Sequence, residues 1–228
     1  MLKKILVPTD GFKASLVSID YAVKIAKLFN AKIVGLSVID IKRLTGPFIH
    51  DLGTSMGGMV PYGQFRDTIA NMLQSAADAA LTQLEEKCKE KRVEYELQKE
   101  EGIIPREIAK SAVNAELILM GKTGEHTKWA DALLGSNLES VVRQTHKPVL
   151  VTSEKFVQIT KILVAYDGSE FAGKALNIGG EIASKMQVPM TILNVGDDKK
   201  RSSDIIADGV AHIKPYNIAF DTVIETGD

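Results

Sequence analysis

The chain has 228 residues and a formal net charge of −1 at pH 7, with 28 basic and 29 acidic side chains. This balance argues against nucleic acid or an anionic membrane as a partner, and no apolar run reaches the roughly 18–20 residues of a membrane span. Cys88 is the single cysteine, which excludes an intramolecular disulfide and predicts a cytoplasmic protein. The amino-terminal segment is too short and too soon interrupted by Pro8 for a secretory signal.

Strand and helix patterns alternate from the amino terminus onward. The apolar run at 5–7 predicts a first strand, and the helical stripe at 18–29 predicts the helix that follows it. Residues 31–38 predict a second strand. The glycine- and proline-rich stretch at 41–65 has no stable period and predicts a long loop of the kind that is often functional or disordered.

The alternation continues to position 151. Its further members are a helix at 69–84, a strand at 93–97, a helix from Pro105 to Val113, a strand at 117–120, a helix from Ser136 and a strand at 148–151. Such alternation indicates an α/β fold in which a parallel sheet is built by right-handed crossovers. We predict a doubly wound five-stranded sheet in the order 3-2-1-4-5.

In that order, the first and fourth strands lie side by side where the winding reverses. Ligands of open α/β sheets bind beyond the carboxyl ends of the strands at this point. The first strand ends there at Pro8-Thr9-Asp10, and the fourth ends at Gly121-Lys122-Thr123-Gly124. Two separate sequence features therefore point to one crevice.

The segment after the fourth strand resembles a phosphate cradle. Gly121 and Gly124 follow the apolar run directly, and Gly135 with Ser136 opens a helix. Glycines let backbone N–H groups approach an anion, and a helix N-terminus adds unpaired donors and a positive dipole end. A Walker A loop is excluded because position 116 is Glu116, and no G-x-G-x-x-G pattern is present.

Two of these residues also have ordinary structural interpretations. Asp10 precedes Gly11 and could serve only as a turn or helix cap; as a ligand it would accept from ribose or adenine, or hold Mg²⁺ beside phosphates. Ser136 and Glu139 have the spacing of a capping box, a role that is compatible with phosphate binding by the same helix end.

The chain also repeats itself. Residues 4–11 recur at 161–168, and in the same register Ala26 matches Ala183 and residues 36–40 match 193–197. We predict two homologous domains, a complete one at 1–153 and a truncated second copy at 161–228, joined by a linker at 154–160. The second copy lacks a counterpart of 108–151 and with it the glycine cradle. Its first strand would have an open flank, covered by a partner chain or by the first domain unless the sequence is a fragment.

These features together resemble the universal stress protein family, whose α/β domains bind adenine nucleotides. The family's pattern G-x2-G-x9-G-[S/T] is similar to the run from Gly121 to Ser136, which here is one residue longer. The family's opening strand and Asp are similar to Val7-Pro8-Thr9-Asp10, its second strand to Ser37-Val38-Ile39-Asp40, and its turn before the third helix to 101–105. The longer loop implies binding of AMP or ADP, or weak binding of ATP.

The resemblance implies a division of roles within the site. Asp10 and Val38 would contact adenine and ribose beside Pro8, Met120 and Gly121 would line the nucleotide, and the phosphates would lie on the later residues. The complete expected set is Pro8, Thr9, Asp10, Val38, Met120, Gly121, Lys122, Gly124, Gly135, Ser136 and Asn137. Family members commonly form dimers through the last strand, which implies a homodimer of the first domain.

Three classes of function remain open at this stage. The leading one is a stress-response or regulatory protein that binds ATP, ADP or AMP, with or without Mg²⁺, and signals to an unknown protein partner. The second is an enzyme of slow ATP hydrolysis or adenylyl transfer, although no base or nucleophile is evident. The third is a nucleotide-free dimerisation module.

Overall fold

The computed structural model describes residues 2–42, 62–122 and 135–226. Gly124 and residues 43–61 of the expected long loop lie outside these ranges. The described chain forms two compact units, divided between Phe156 and Val157. Within the described residues, no helix is both long enough and apolar enough to cross a membrane.

The first unit is a parallel sheet with helices on both faces. Its elements are β1 (Lys4–Pro8), α1 (Lys13–Phe29), β2 (Lys32–Asp40), α2 (Tyr62–Lys91), β3 (Tyr95–Gly102), α3 (Ile104–Ser111), β4 (Leu117–Gly121), α4 (Ser136–Gln144) and β5 (Val149–Thr152). The five strands lie in the order β3-β2-β1-β4-β5 and pair in parallel. The predicted order 3-2-1-4-5 is confirmed.

Several element boundaries differ from those expected. Helix α1 begins at Lys13 rather than at position 18, because Ala14, Ser15 and Val17 are buried in its first turns. Ala14 and Ser15 are small or polar, and residues of this kind do not register in a search for an apolar stripe. Helix α2 begins at Tyr62 and so enters the stretch predicted as loop. Strand β2 runs on to Asp40 because its pairing with β3 continues to Gly102.

Alternate residues of each strand face opposite layers of helices. On one face, the core joins the sheet to α3 and α4 through Leu6, Val34, Leu36, Ile108, Ala112, Ala115, Ile118, Met120, Leu138 and Val141. On the other face, α1 packs on β4 and α2 packs on β2. There Gly35 lies under Leu84, whose branched end fills the space that a Cβ would take.

Gly121 belongs to this second, tightly packed face. A Cβ at this position would lie 2.8 Å from the Cβ of Ala14 and 3.0 Å from its carbonyl carbon. The backbone of α1 cannot move away cheaply, since Ser18 of the same helix shares a buried hydrogen bond of 2.7 Å with Thr152. The missing side chain at Gly121 therefore lets α1 lie against the end of β4.

The second unit is a smaller parallel sheet. Its elements are β6 (Ile162–Ala165), α5 (Glu170–Met186), β7 (Met190–Val195), α6 (Lys199–Ile213) and β8 (Phe220–Glu225), with the strands in the order β6-β7-β8. Ile162 pairs with Met190 just as Ile5 pairs with Ile33, at the same separation along the chain. Gly168, like Gly11, has a positive φ, of 82° against 78°.

Tyr166 anchors α6 to this second sheet. Its ring lies so close to α6 that a Cβ on Gly209 would be 2.9 Å from its Cδ1. The hydroxyl donates a short hydrogen bond to the carboxylate of Asp208. Burial and this hydrogen bond together raise the pKa of Tyr166 to about 12.

We predict that Gly121→Ala destabilises the protein by about 1–3 kcal/mol through overpacking against α1. Chemical denaturation measures the effect. Gly173→Ala is the matched control, because a Cβ there meets nothing within 4 Å, and within the first turn of α5 this change should be neutral or stabilising. Equal stability of the two variants would contradict the packing role of Gly121.

The raised pKa of Tyr166 also predicts a pH dependence. The protonated hydroxyl contributes stability fully below the unfolded pKa near 10, and this contribution is lost as the pH rises through about 12. Tyr166→Phe should cost about 1 kcal/mol of unfolding free energy at neutral pH. The difference from wild type should then shrink between pH 10 and 12. A difference that stays constant across that window would contradict the assignment.

Candidate functional site

The crevice begins where β1 and β4 stop pairing. The two strands pair only at Ile5 with Leu117 and at Leu6 with Ile118. Beyond these positions, β1 continues beside β2 as far as Pro8, and β4 continues beside β5. The carboxyl ends of the two central strands are thus each held by an outer neighbour, which leaves a gap between them.

The polar groups at the end of β1 mostly make hydrogen bonds within the protein. Thr9 is buried, its N–H donates to the carbonyl of Leu36 at 2.8 Å, and its Oγ1 bonds Ser15 at 3.3 Å. Asp10 is exposed, and its Oδ1 accepts the N–H of Phe12 at 3.0 Å. Phe12 is the N-cap of α1 and makes no side-chain cap. Asp10 therefore forms a turn before the helix, with its second carboxylate oxygen free of any described hydrogen-bond partner.

The end of β4 is fixed by main-chain hydrogen bonds. The N–H of Lys122 donates to the carbonyl of Thr152 at 2.9 Å, and the carbonyl of Lys122 accepts the N–H of Gly135 at 3.0 Å. The chain therefore returns to α4 beside the point where it left β4. Because the N–H groups of Lys122 and Gly135 are used in this way, neither is available to an anion. The side chain of Lys122 is exposed.

The capping box predicted for α4 is wrong. The N-cap is Gly135 rather than Ser136, and no side chain caps the helix. The carboxylate of Glu139 instead accepts from Arg143 one turn further on, at 2.8 Å. Ser136 is the first helical residue and is exposed. Its hydroxyl is not used to cap the helix.

Three further donors lie at the same helix end. The N–H groups of Ser136, Asn137 and Leu138 precede the first intrahelical hydrogen bond, which Glu139 makes to the carbonyl of Gly135 at 3.0 Å. The helix dipole adds a partial positive charge at this end. Together with the Ser136 hydroxyl, these donors suit a phosphate or carboxylate group.

An apolar floor lies beside these donors. Met120 and Leu138 are buried in one cluster, and Val38 is a half-buried residue that packs against it. Pro8 is half-buried at the end of β1. Apolar side chains at the base of a crevice suit the face of a planar ring.

A cavity of about 170 Å³ opens at the end of β2. The described residues that line it are Asp40, Lys42, Ile103, Ile104, Pro105, Ser136, Asn137 and Ser140. It therefore unites the start of α4 with the end of β2 and the start of α3. Of the expected site residues that the structure describes, only Ser136 and Asn137 line this cavity.

Sequence reasoning missed the other six lining residues as site members. Asp40 carried a usable signal, because it ends the strand next to β1 at the ligand-binding edge of the sheet. The turn at Ile103–Pro105 resembles the family's turn before the third helix, but only the folded chain shows that it lies beside α4. Among the described residues, no group of three or more His, Cys, Asp or Glu side chains is placed to hold a metal ion.

The second unit repeats the turn that follows the first strand of the first unit. Asp167 follows β6 as Asp10 follows β1, and its Oδ1 accepts the N–H of Ser169 at 2.9 Å. The hydrogen bonds from Ser169 lower the pKa of Asp167. Ser169 also caps α5 by accepting the N–H of Ala172 at 3.2 Å. Both polar groups are thus engaged in starting the helix.

Comparisons with known proteins agree on one family. The model of the universal stress protein family matches residues 1–153. A universal stress protein of Methanocaldococcus jannaschii is 33% identical over 156 residues, which cover 68% of this chain and 84% of that protein. One from Synechocystis sp. is 29% identical over 204 residues, which cover 86% of this chain and 70% of the other.

A solved structure shares the fold over nearly the whole chain. The crystal structure of a universal stress protein from Archaeoglobus fulgidus matches with a TM-score of 0.74 and 24% identity, covering 99% of this chain and 79% of that one. The predicted resemblance is therefore confirmed, and the chain belongs to the universal stress protein family.

Proposed function

We propose that the first unit binds an adenine nucleotide at the carboxyl edge of its sheet and acts as a nucleotide-responsive stress protein. One observation carries the proposal: Ser136 and Asn137, whose donors in the first turn of α4 are unused, line a cavity at the carboxyl end of β2. Membership of the universal stress protein family supports the stress-related role. ATP, ADP and AMP are the candidate ligands.

The phosphates would lie against the start of α4. The Ser136 hydroxyl and the N–H groups of Ser136 and Asn137 would donate to phosphate oxygens. The N–H of Gly135 is occupied by Lys122, so Gly135 contributes by its extended conformation at the N-cap rather than as a donor. Gly124, which lies outside the described residues, stays a predicted phosphate contact.

The nucleoside would lie against the apolar floor. We assign Val38, Met120 and Pro8 to the base, and we assign Asp10 to adenine, ribose or an accompanying Mg²⁺ through its second carboxylate oxygen. Gly121 and Lys122 shape the end of β4, and Thr9 holds the end of β1 through its bond to Ser15. The cavity of about 170 Å³ is smaller than the roughly 300–1,000 Å³ of whole-ligand pockets, so it would hold only part of the nucleotide.

Ser136→Ala should weaken ADP binding about tenfold, because it removes one hydrogen bond to a charged group. Isothermal titration calorimetry measures this change. Ser136→Glu should abolish binding, because it places a negative charge at the phosphate position. Neither variant should alter the unfolding free energy by more than about 0.5 kcal/mol, since the exposed hydroxyl caps nothing.

Ser203→Ala is the matched control for this experiment. Ser203 is an exposed helical serine in the second unit, and its replacement should leave ADP affinity unchanged. ADP binding of wild-type strength by Ser136→Glu would overturn the site assignment.

We further propose that the second unit is a partial copy of the first and that the protein is a cytosolic homodimer that signals to a protein partner. The shared register of the two sheets supports the copy. The outer strand β5 carries the exposed Val151, and the neighbouring α4 carries the exposed Val142. Apolar residues beside an open strand edge suit pairing with a second chain.

Light scattering after size exclusion should therefore give twice the chain mass at micromolar concentration. Val151→Lys should shift the protein towards the monomer, because it places a charge in the proposed interface. Val113→Lys is the control, since Val113 is also exposed but follows α3. A monomeric wild-type protein would refute the dimer.

A further inference from the structure

The cavity beside α4 contains one acidic side chain among its described lining residues. This acidic residue is Asp40, and Lys42 is the one basic residue among the described lining residues. Ser136 and Asn137 line the same cavity from the helix side. A carboxylate and a set of anion-binding donors therefore share one small volume.

The position of Asp40 is set by the strand. It is the last residue of β2 and pairs with Gly102 of β3. Because side chains alternate along a strand, Asp40 lies on the same face as Leu36 and Val38. Val38 packs against the cluster that contains Met120. Asp40 therefore continues the apolar floor of the proposed nucleotide site with a polar group.

The carboxylate of Asp40 is held in place on one side only. Its Oδ1 accepts the N–H of Lys42 at 3.0 Å. No described residue donates a hydrogen bond to its Oδ2. Asp40 is partly buried, so an acceptor with restricted access to water is left at the cavity.

The chemistry of this acceptor limits what it can bind. An ionised carboxylate accepts hydrogen bonds and donates none, so it repels phosphate and attracts a hydroxyl or amino group. With the phosphates at α4, the neighbouring group of a nucleotide is the ribose. The 2′-hydroxyl of the ribose is a hydrogen-bond donor, and the carboxylate at the end of β2 can accept from it.

We infer that Asp40 accepts a hydrogen bond from the ribose 2′-hydroxyl and makes the site selective for ribonucleotides over 2′-deoxyribonucleotides. This inference rests on the proposed nucleotide-binding function. Asp10 is less suited to this role, because it is exposed and does not line the cavity that holds Ser136 and Asn137.

Calorimetric titration with ADP and with 2′-deoxy-ADP tests the inference. Wild type should prefer ADP by about tenfold, as expected for one hydrogen bond to a charged acceptor. Asp40→Ala should bind both nucleotides with similar, weaker affinity. Asp40→Asn should keep part of the preference, since its amide oxygen can still accept from the hydroxyl and from the N–H of Lys42.

The matched control is Asp197→Ala. Asp197 occupies the equivalent position after β7 and is exposed. Its replacement should leave the tenfold preference intact. The thermal unfolding midpoint of each variant, measured without nucleotide, shows whether a loss of binding reflects a loss of folding. If Asp40→Ala does not fold, the titrations of Asp40→Asn still test the inference.

These titrations distinguish a failure of the Asp40 assignment from a failure of the proposed nucleotide binding. If wild type and Asp40→Ala both prefer ADP tenfold, the role of Asp40 is refuted while nucleotide binding stands. If Asp40→Ala instead loses only the preference for ADP over inosine diphosphate, Asp40 contacts the base and the inference is wrong. If wild type binds neither nucleotide, the proposed function itself fails and the inference fails with it.

Discussion

The candidate site depends on how far the two central strands stay paired. β1 and β4 share a ladder only at Ile5 and Leu6, although each strand runs on beside its outer neighbour. Because the two strands separate, their carboxyl ends are not hydrogen-bonded to each other at the base of the crevice. Parallel order supplies the rest of the geometry, because it brings the carboxyl ends of all five strands to one edge.

The orientation of α4 follows from packing on one side and main-chain bonding on the other. Leu138 and Val141 are almost fully buried against the sheet. The bond between Gly135 and Lys122 fixes where the helix starts. These two constraints hold the first turn without using its side-chain donors, so Ser136 and Asn137, which line the cavity at the end of β2, remain available to a ligand. Stability and binding therefore draw on different atoms of the same short helix.

The sequence was sufficient for the parallel sheet, which follows from strand–helix alternation, and the doubly wound order chosen for it is the one that the structure has. It failed where two local interactions compete. Glu139 can reach back to cap α4 or forward to Arg143, and the forward ion pair is the one formed. The packing role of Gly121 was not visible in the sequence, since its contact with Ala14 is a long-range one. Asp40 was overlooked as a site residue although its place at the end of β2 was a usable signal, whereas only the folded chain shows that it lies beside α4.

The most direct test of nucleotide binding at this edge is an amide NMR titration of the labelled protein with ADP. The largest shift changes should fall on Ser136 and Asn137, with further changes at 38–42 on the end of β2. Residues of the second unit should change little. Shift changes centred on Asp167 and α5, or none at Ser136 and Asn137 under saturating ADP, would contradict the proposed site.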